Sequence, residues 1–115
     1  MIIYIIALFC LAVLVGSYMI FIGLRYQRGS LIIGVSHAGI AMLSLVLLIT
    51  YLFHNPGHSM VYNDAALVFV MTLAGGLVLL ALREGRRPPP MVVVGIHAVM
   101  ALFALMLLVI AYLQS

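Results

Sequence analysis

Four apolar stretches, residues 2–24, 31–53, 65–82 and 91–113, take up nearly all of this 115-residue chain, and only short turns separate them. Crossing a bilayer core about 30 Å thick takes roughly 20 apolar residues in helical form. Backbone polar groups at that depth must be satisfied within the protein, which leaves helices and closed barrels as spanning structures. A barrel needs short segments of alternating polarity, whereas these runs are apolar on every side. The chain is therefore expected to be an all-α integral membrane protein, with four transmembrane helices in an up-and-down bundle and sequential helices antiparallel. Composition agrees: 68% hydrophobic and 6% charged residues cannot make a soluble surface at this length. It is expected to form a single membrane domain over residues 1–115, with no segment within them long enough for a soluble one.

Orientation follows from the arginines, the only strongly basic residues present. Arg25 and Arg28 follow the first stretch, and Arg83, Arg86 and Arg87 follow the third, while the segment HNPGHSMVYND between the second and third has none. The positive-inside rule puts both arginine turns in the cytoplasm and both termini on the non-cytoplasmic side of a bacterial-type inner (plasma) membrane. No basic residue precedes the first stretch and no small-x-small cleavage site follows it, so that helix is expected to be retained. Arginines at this depth suit anionic lipid headgroups, at about 1 kcal/mol each. Several of the six tyrosines fall near helix ends, as interfacial anchors do.

The two halves of the chain resemble one another at an offset of sixty residues. LIIGVSHAGIAMLSLVLLIT lies over MVVVGIHAVMALFALMLLVI with His, Ala, Ala and three Leu identical, and the first and third stretches share Phe9 with Phe69 and Gly16 with Gly76. This pattern predicts a duplicated helical hairpin, residues 1–60 and 61–115, in which both copies keep the same membrane orientation. His37 and His97 are then the seventh residues of parallel helices, about 9 Å from their starts. Residues three, four and seven apart share a helical face, so His37, Ala41, Ser44 and Leu48 form one stripe and His97, Ala101, Ala104 and Leu108 another. Small side chains let a backbone or a flat ligand come close. Ala12, Gly16 and Gly23 offer such surfaces on the first helix, as do Ala74, Gly75 and Gly76 on the third.

Imidazole is costly in a hydrocarbon layer and calls for a partner. The sharpest expectation is haem b held by His37 and His97 as axial ligands, with Arg25, Arg28, Arg83, Arg86 and Arg87 meeting its propionates or lipid headgroups. The protein would then be a small subunit of a respiratory or other redox complex, carrying single electrons. Quinone binding near the same residues is a related redox expectation. The plainer alternative is a cofactor-free accessory or assembly subunit whose histidines bond a carbonyl, Ser36 or Ser44, or a neighbouring subunit. It would dock through its small-residue faces on other membrane subunits or on copies of itself. A small transporter or channel is a third class, and it lacks an interior carboxylate, since Asp64 and Glu84 flank the third stretch.

Beyond a haem iron no metal site is expected. His54, His58, Met60 and Asp64 are metal-capable, but Pro56 and Gly57 break any helical face between the two histidines, and Asp64 reads as the cap of the third helix. Cys10, the one cysteine, reads as a small buried hydrophobe. Glu84-Gly85-Arg86-Arg87 followed by Pro88, Pro89 and Pro90 reads as a helix stop and a stiff connection. With no lysine, no glycine-rich phosphate loop and no nucleophile paired to a carboxylate, a stand-alone enzyme is not expected and no catalytic residue is named. The net charge of +3 is explained by topology and does not call for nucleic acid. In composition alone, the His-Ala helices resemble those of small membrane cytochromes.

Overall fold

The structure, a computed structural model, describes residues 1–26, 31–82 and 89–114. They form four helices, α1 (Ile2–Tyr26), α2 (Leu31–His54), α3 (Met60–Leu82) and α4 (Met91–Gln114), and no strand. Each is long and apolar enough to cross a membrane; 24 residues rise about 36 Å against a core of about 30 Å. The fold is an all-α four-helix bundle of a multi-pass membrane protein. Each helix packs on its chain neighbours and α1 also packs on α4, while the diagonal pairs α1/α3 and α2/α4 keep their backbones apart and meet through aromatic side chains on the axis. Large apolar side chains such as Leu14, Ile32, Leu67 and Val92 stand more than 60% exposed. An exterior of that kind, on helices apolar all round, is one that lipid covers.

Local chemistry sets the helix ends. α3 begins at Met60, five residues before the apolar stretch read from sequence, because Ser59 caps it: the Val61 N–H donates to Ser59 Oγ at 3.2 Å. Asp64 is thus an exposed residue inside the helix and not its cap. At the end of α2, His54 Nδ1 donates to the Thr50 carbonyl at 2.9 Å and Asn55 Nδ2 to the Tyr51 carbonyl at 2.8 Å, satisfying acceptors that the ending helix leaves open. His58 ties the connecting loop to α3, with Nδ1 donating to the Asn55 carbonyl at 2.7 Å and Nε2 paired with Asn63 Oδ1 at 2.8 Å. Both histidines are engaged locally, and the described residues contain no cluster of three metal-capable His, Cys, Asp or Glu. α4 starts directly after Pro90, whose carbonyl accepts from the Val94 N–H at 3.1 Å.

The bundle is packed at one end and hollow at the other. Ile5, Leu48, Ala65, Ala104 and Leu108 are completely buried, and all lie toward the end that carries the 55–59 loop. On the axis, Phe9 of α1 and Phe69 of α3 stack face to face across the diagonal, with ring centres 3.7 Å apart and planes 7° from parallel. Beyond them, toward the end where Arg25 lies exposed, the buried described residues are small ones, Ala12, Gly23, Gly34 and Thr72. Positions sixty apart are buried alike: Ile2 with Tyr62, Ile5 with Ala65, Phe9 with Phe69, Ala12 with Thr72, Ser44 with Ala104, Leu48 with Leu108. Two residues within the apolar stretches also depart from the reading of the sequence. Cys10 is exposed on the lipid-facing side, and Ala74 likewise faces outward.

Candidate functional site

His37 reaches in from α2 and His97 from α4, the two helices that stand diagonally apart. Their rings meet near the axis with centres 6.2 Å apart and planes 81° from parallel. Each ring lies over a glycine of the other helix in its own hairpin. A Cβ added at Gly16 would stand 3.0 Å from His37 Cε1, and one added at Gly76 would stand 3.0 Å from His97 Cε1. The two hairpins thus build the same contact from residues sixty apart. A main-chain carbonyl lies beside each ring, that of Ala12 by His37 and that of Thr72 by His97. Neither approach has full hydrogen-bond geometry, and Nδ1 of both imidazoles is buried without a partner.

Those unsatisfied nitrogens are the energetic anomaly of the molecule. A buried polar atom without a hydrogen bond costs roughly 1–3 kcal/mol, and here there are two in an apolar setting. The hydroxyls that might have relieved them are committed elsewhere: Ser44 Oγ donates to its own helix at Ile40 O (2.7 Å), Thr72 Oγ1 to Val68 O (2.7 Å) and Ser17 Oγ to Val13 O (2.8 Å). Ser36 faces outward. No bond from Ser36 or Ser44 to either histidine is formed, and the carbonyls of Ala12 and Thr72 beside the rings suit the other structural expectation, a bond to a main-chain carbonyl.

Around the rings lies a cavity of about 210 Å³. Phe9, Phe69 and Leu45 bound it on the packed side, and its lining continues past Gly34 to Pro89 and Met91 at the Arg25 end. The void exceeds the roughly 150 Å³ of an apolar cavity that accepts a benzene ring, whereas native interiors hold few voids larger than a water molecule. Ala38, Ala41, Ala98 and Ala101 wall it near the histidines. The walls are small, and the lining residues include two imidazoles and no carboxylate.

The two imidazoles are of the donor type that binds haem iron, and the cavity of about 210 Å³ takes only part of a macrocycle, so the helices would have to part to admit one. His37 and His97, with ring centres 6.2 Å apart, are the residues that would hold the iron. A carbonyl beside the ring is also common for metal-bound imidazole. Of the arginines named with this site, Arg25 is exposed at the end of α1, and Arg28, Arg83, Arg86 and Arg87 lie outside the described residues, as does Glu84. The histidine pair was legible in the sequence; the Phe9–Phe69 floor and the glycine contacts were not read as part of the site. Their signal was present, since Phe9/Phe69 and Gly16/Gly76 are identities in the otherwise weak alignment of the first and third stretches.

Comparison of the chain with protein families, with characterised proteins and with solved structures finds no match. The site geometry and the sequence carry the functional argument.

Proposed function

We propose that the protein binds one haem b between His37 and His97 and serves as a one-electron carrier in a membrane redox complex. The carrying observation is the pair of imidazoles, 6.2 Å apart across an apolar cavity, each with a buried nitrogen that no protein group satisfies. When bound, the group supplies reversible uptake and release of a single electron. His37 and His97 would hold it, and Gly16 and Gly76 leave room for the rings beside them. Ala38, Ala41, Ala98 and Ala101 leave room for a flat ligand, and the Phe9–Phe69 stack closes the site toward the packed end. Arginines at the opposite end are suitably charged for the propionates, with Arg25, Arg28, Arg83, Arg86 and Arg87 on the cytoplasmic side of an inner membrane. We read the matched halves as a duplicated hairpin, so both ligands come from one ancestral position. A carrier this small exchanges electrons with other membrane subunits or with quinone.

The test is a reduced-minus-oxidised absorption spectrum of protein purified in detergent from haem-sufficient cells. Low-spin b-type bands are expected, and His37→Ala and His97→Ala should each abolish them while helical content stays unchanged. A folded preparation with no such bands, either as isolated or after addition of haemin, would remove the cytochrome reading and favour a cofactor-free subunit.

A further inference from the structure

We infer that the two hairpins, α1–α2 and α3–α4, part from one another at the hollow end while the packed end holds as a pivot, opening the cavity to the lipid along the α1/α4 seam. The parting rests on packing and not on the occupant being haem, although a macrocycle would need it. Packing within each hairpin is more extensive than packing across the α1/α4 and α2/α3 seams. Helices in lipid stay together through close contact rather than escape from water, so the seams are the weaker joints. Chain connection adds to the difference. Segments 27–30 and 83–90 join helices of one hairpin at the hollow end, whereas the link between hairpins is the turn at 55–59, at the packed end, with Pro56 and Gly57 exposed.

What crosses between the hairpins differs from end to end. At the packed end Ile5 and Leu48 of one hairpin share a completely buried core with Ala65, Ala104 and Leu108 of the other, and the Phe9–Phe69 stack adds a contact on the axis. At the hollow end, among the described residues, Leu80 Cδ2 of α3 lies over Gly34 of α2, 3.2 Å from where a Cβ would stand, and the two imidazoles meet edge to face. The cavity occupies the space between, and a void gives its lining no partner atoms on that side.

Each imidazole is seated within its own hairpin, His37 over Gly16 and His97 over Gly76, so each ring travels with its hairpin when the two separate. The Ser17 hydroxyl bonds within its own helix, to Val13 O, and does not tie the hairpins together. A region of few buried contacts is where a fold opens first, and hinged closure around a ligand is a common form of conformational change. The α1/α4 seam is the least packed of the four helix pairs and has no chain connection at either end, so it opens the widest.

Pulsed electron double resonance tests the opening on the full chain in phosphatidylcholine nanodiscs, with nitroxides on cysteine pairs in a Cys10→Ser background. Leu24→Cys with Val92→Cys spans the α1/α4 seam at the hollow end. Leu24→Cys with Ile32→Cys and Leu82→Cys with Val92→Cys report each hairpin at that end, and Tyr4→Cys with Leu113→Cys reports the same seam at the packed end. All of these positions are exposed, so the labels displace no core side chain. The seam pair at the hollow end should give a broad distance distribution with a longer component, and the other pairs single narrow ones. Leu80→Ala, which removes the side chain lying over Gly34, should enlarge the longer component. A narrow distribution for Leu24 with Val92 would overturn the opening. Equal broadening for Tyr4 with Leu113 would also overturn it, since the hairpins would then separate along their whole length, and so would equal broadening within the hairpins, the mark of single helices fraying. The distances are read without haem, so a protein that opens yet shows no b-type bands loses the haem reading alone.

Discussion

Ser44 is a hydroxyl at zero exposure in an apolar bundle, and it tolerates that place by donating to Ile40 O one turn back in its own helix. Such a bond replaces no interhelical partner and slightly strains the helix. Ala104, the corresponding residue of the other hairpin, is equally buried with no polar atom to satisfy. Ser44→Ala should therefore change stability by less than about 1 kcal/mol, whereas Ser44→Leu should overpack the same spot and destabilise by roughly 1–3 kcal/mol; unfolding in detergent followed by circular dichroism reads both. Ser59→Ala removes the cap of α3 and should cost about 1 kcal/mol, and Asp64→Ala should cost less because Asp64 caps nothing. The residue scale is also where sequence reading was weakest. Tyr62, Asn63 and Asp64 interrupt the apolar run, so hydropathy alone starts the third helix late, although Ser59 marks the true start by its side-chain bond. Tyr62 is buried at 2% exposure and is no interfacial anchor. Cys10 shows a related limit, since uniformly apolar helices give no polar side from which to tell inward from outward.

The helices divide their labour by diagonal. α1 and α3 supply the stacked phenylalanines and the ring-facing glycines, and α2 and α4 supply the imidazoles and the alanines near them. Lipid tails are as apolar as leucine, so association of these helices depends on close packing rather than on escape from water. That packing is concentrated around Ile5, Leu48, Ala65, Ala104 and Leu108. Leu48→Ala or Leu108→Ala should cost about 2–5 kcal/mol, the range for deleting a fully buried leucine. Leu80→Ala should cost distinctly less, because Leu80 borders the open cavity and is only partly buried. The same denaturation series compares the three. The stripes read from helical spacing foretold this arrangement well, since Ser44, Leu48, Ala104 and Leu108 are all buried. Which side of α1 and α3 turned inward was less accessible to reasoning from small residues alone: Ala12 does and Ala74 does not.

At the scale of the whole molecule the fold was legible because four bilayer-length apolar runs joined by short turns admit few arrangements. The division into a packed and a hollow end was not legible, because Leu, Ile, Val and Ala fill both. The matched construction has a further consequence for any occupant that is not itself symmetric. Phe9 and Phe69, Gly16 and Gly76, and Ala41 and Ala101 are paired in the cavity wall, so rotating an occupant by half a turn about the bundle axis returns it to nearly the same surroundings. Haem b has unlike substituents on its two sides, so a loaded preparation should contain two rotational isomers. The ratio would be governed by the wall positions where the halves differ, among them Ala12 against Thr72, Ser17 against Leu77, Met19 against Leu79 and Gly34 against Val94. Doubled haem methyl resonances in the proton spectrum of the oxidised protein would display the isomers, and Thr72→Ala, which removes one of those differences, should draw the two populations closer to equality.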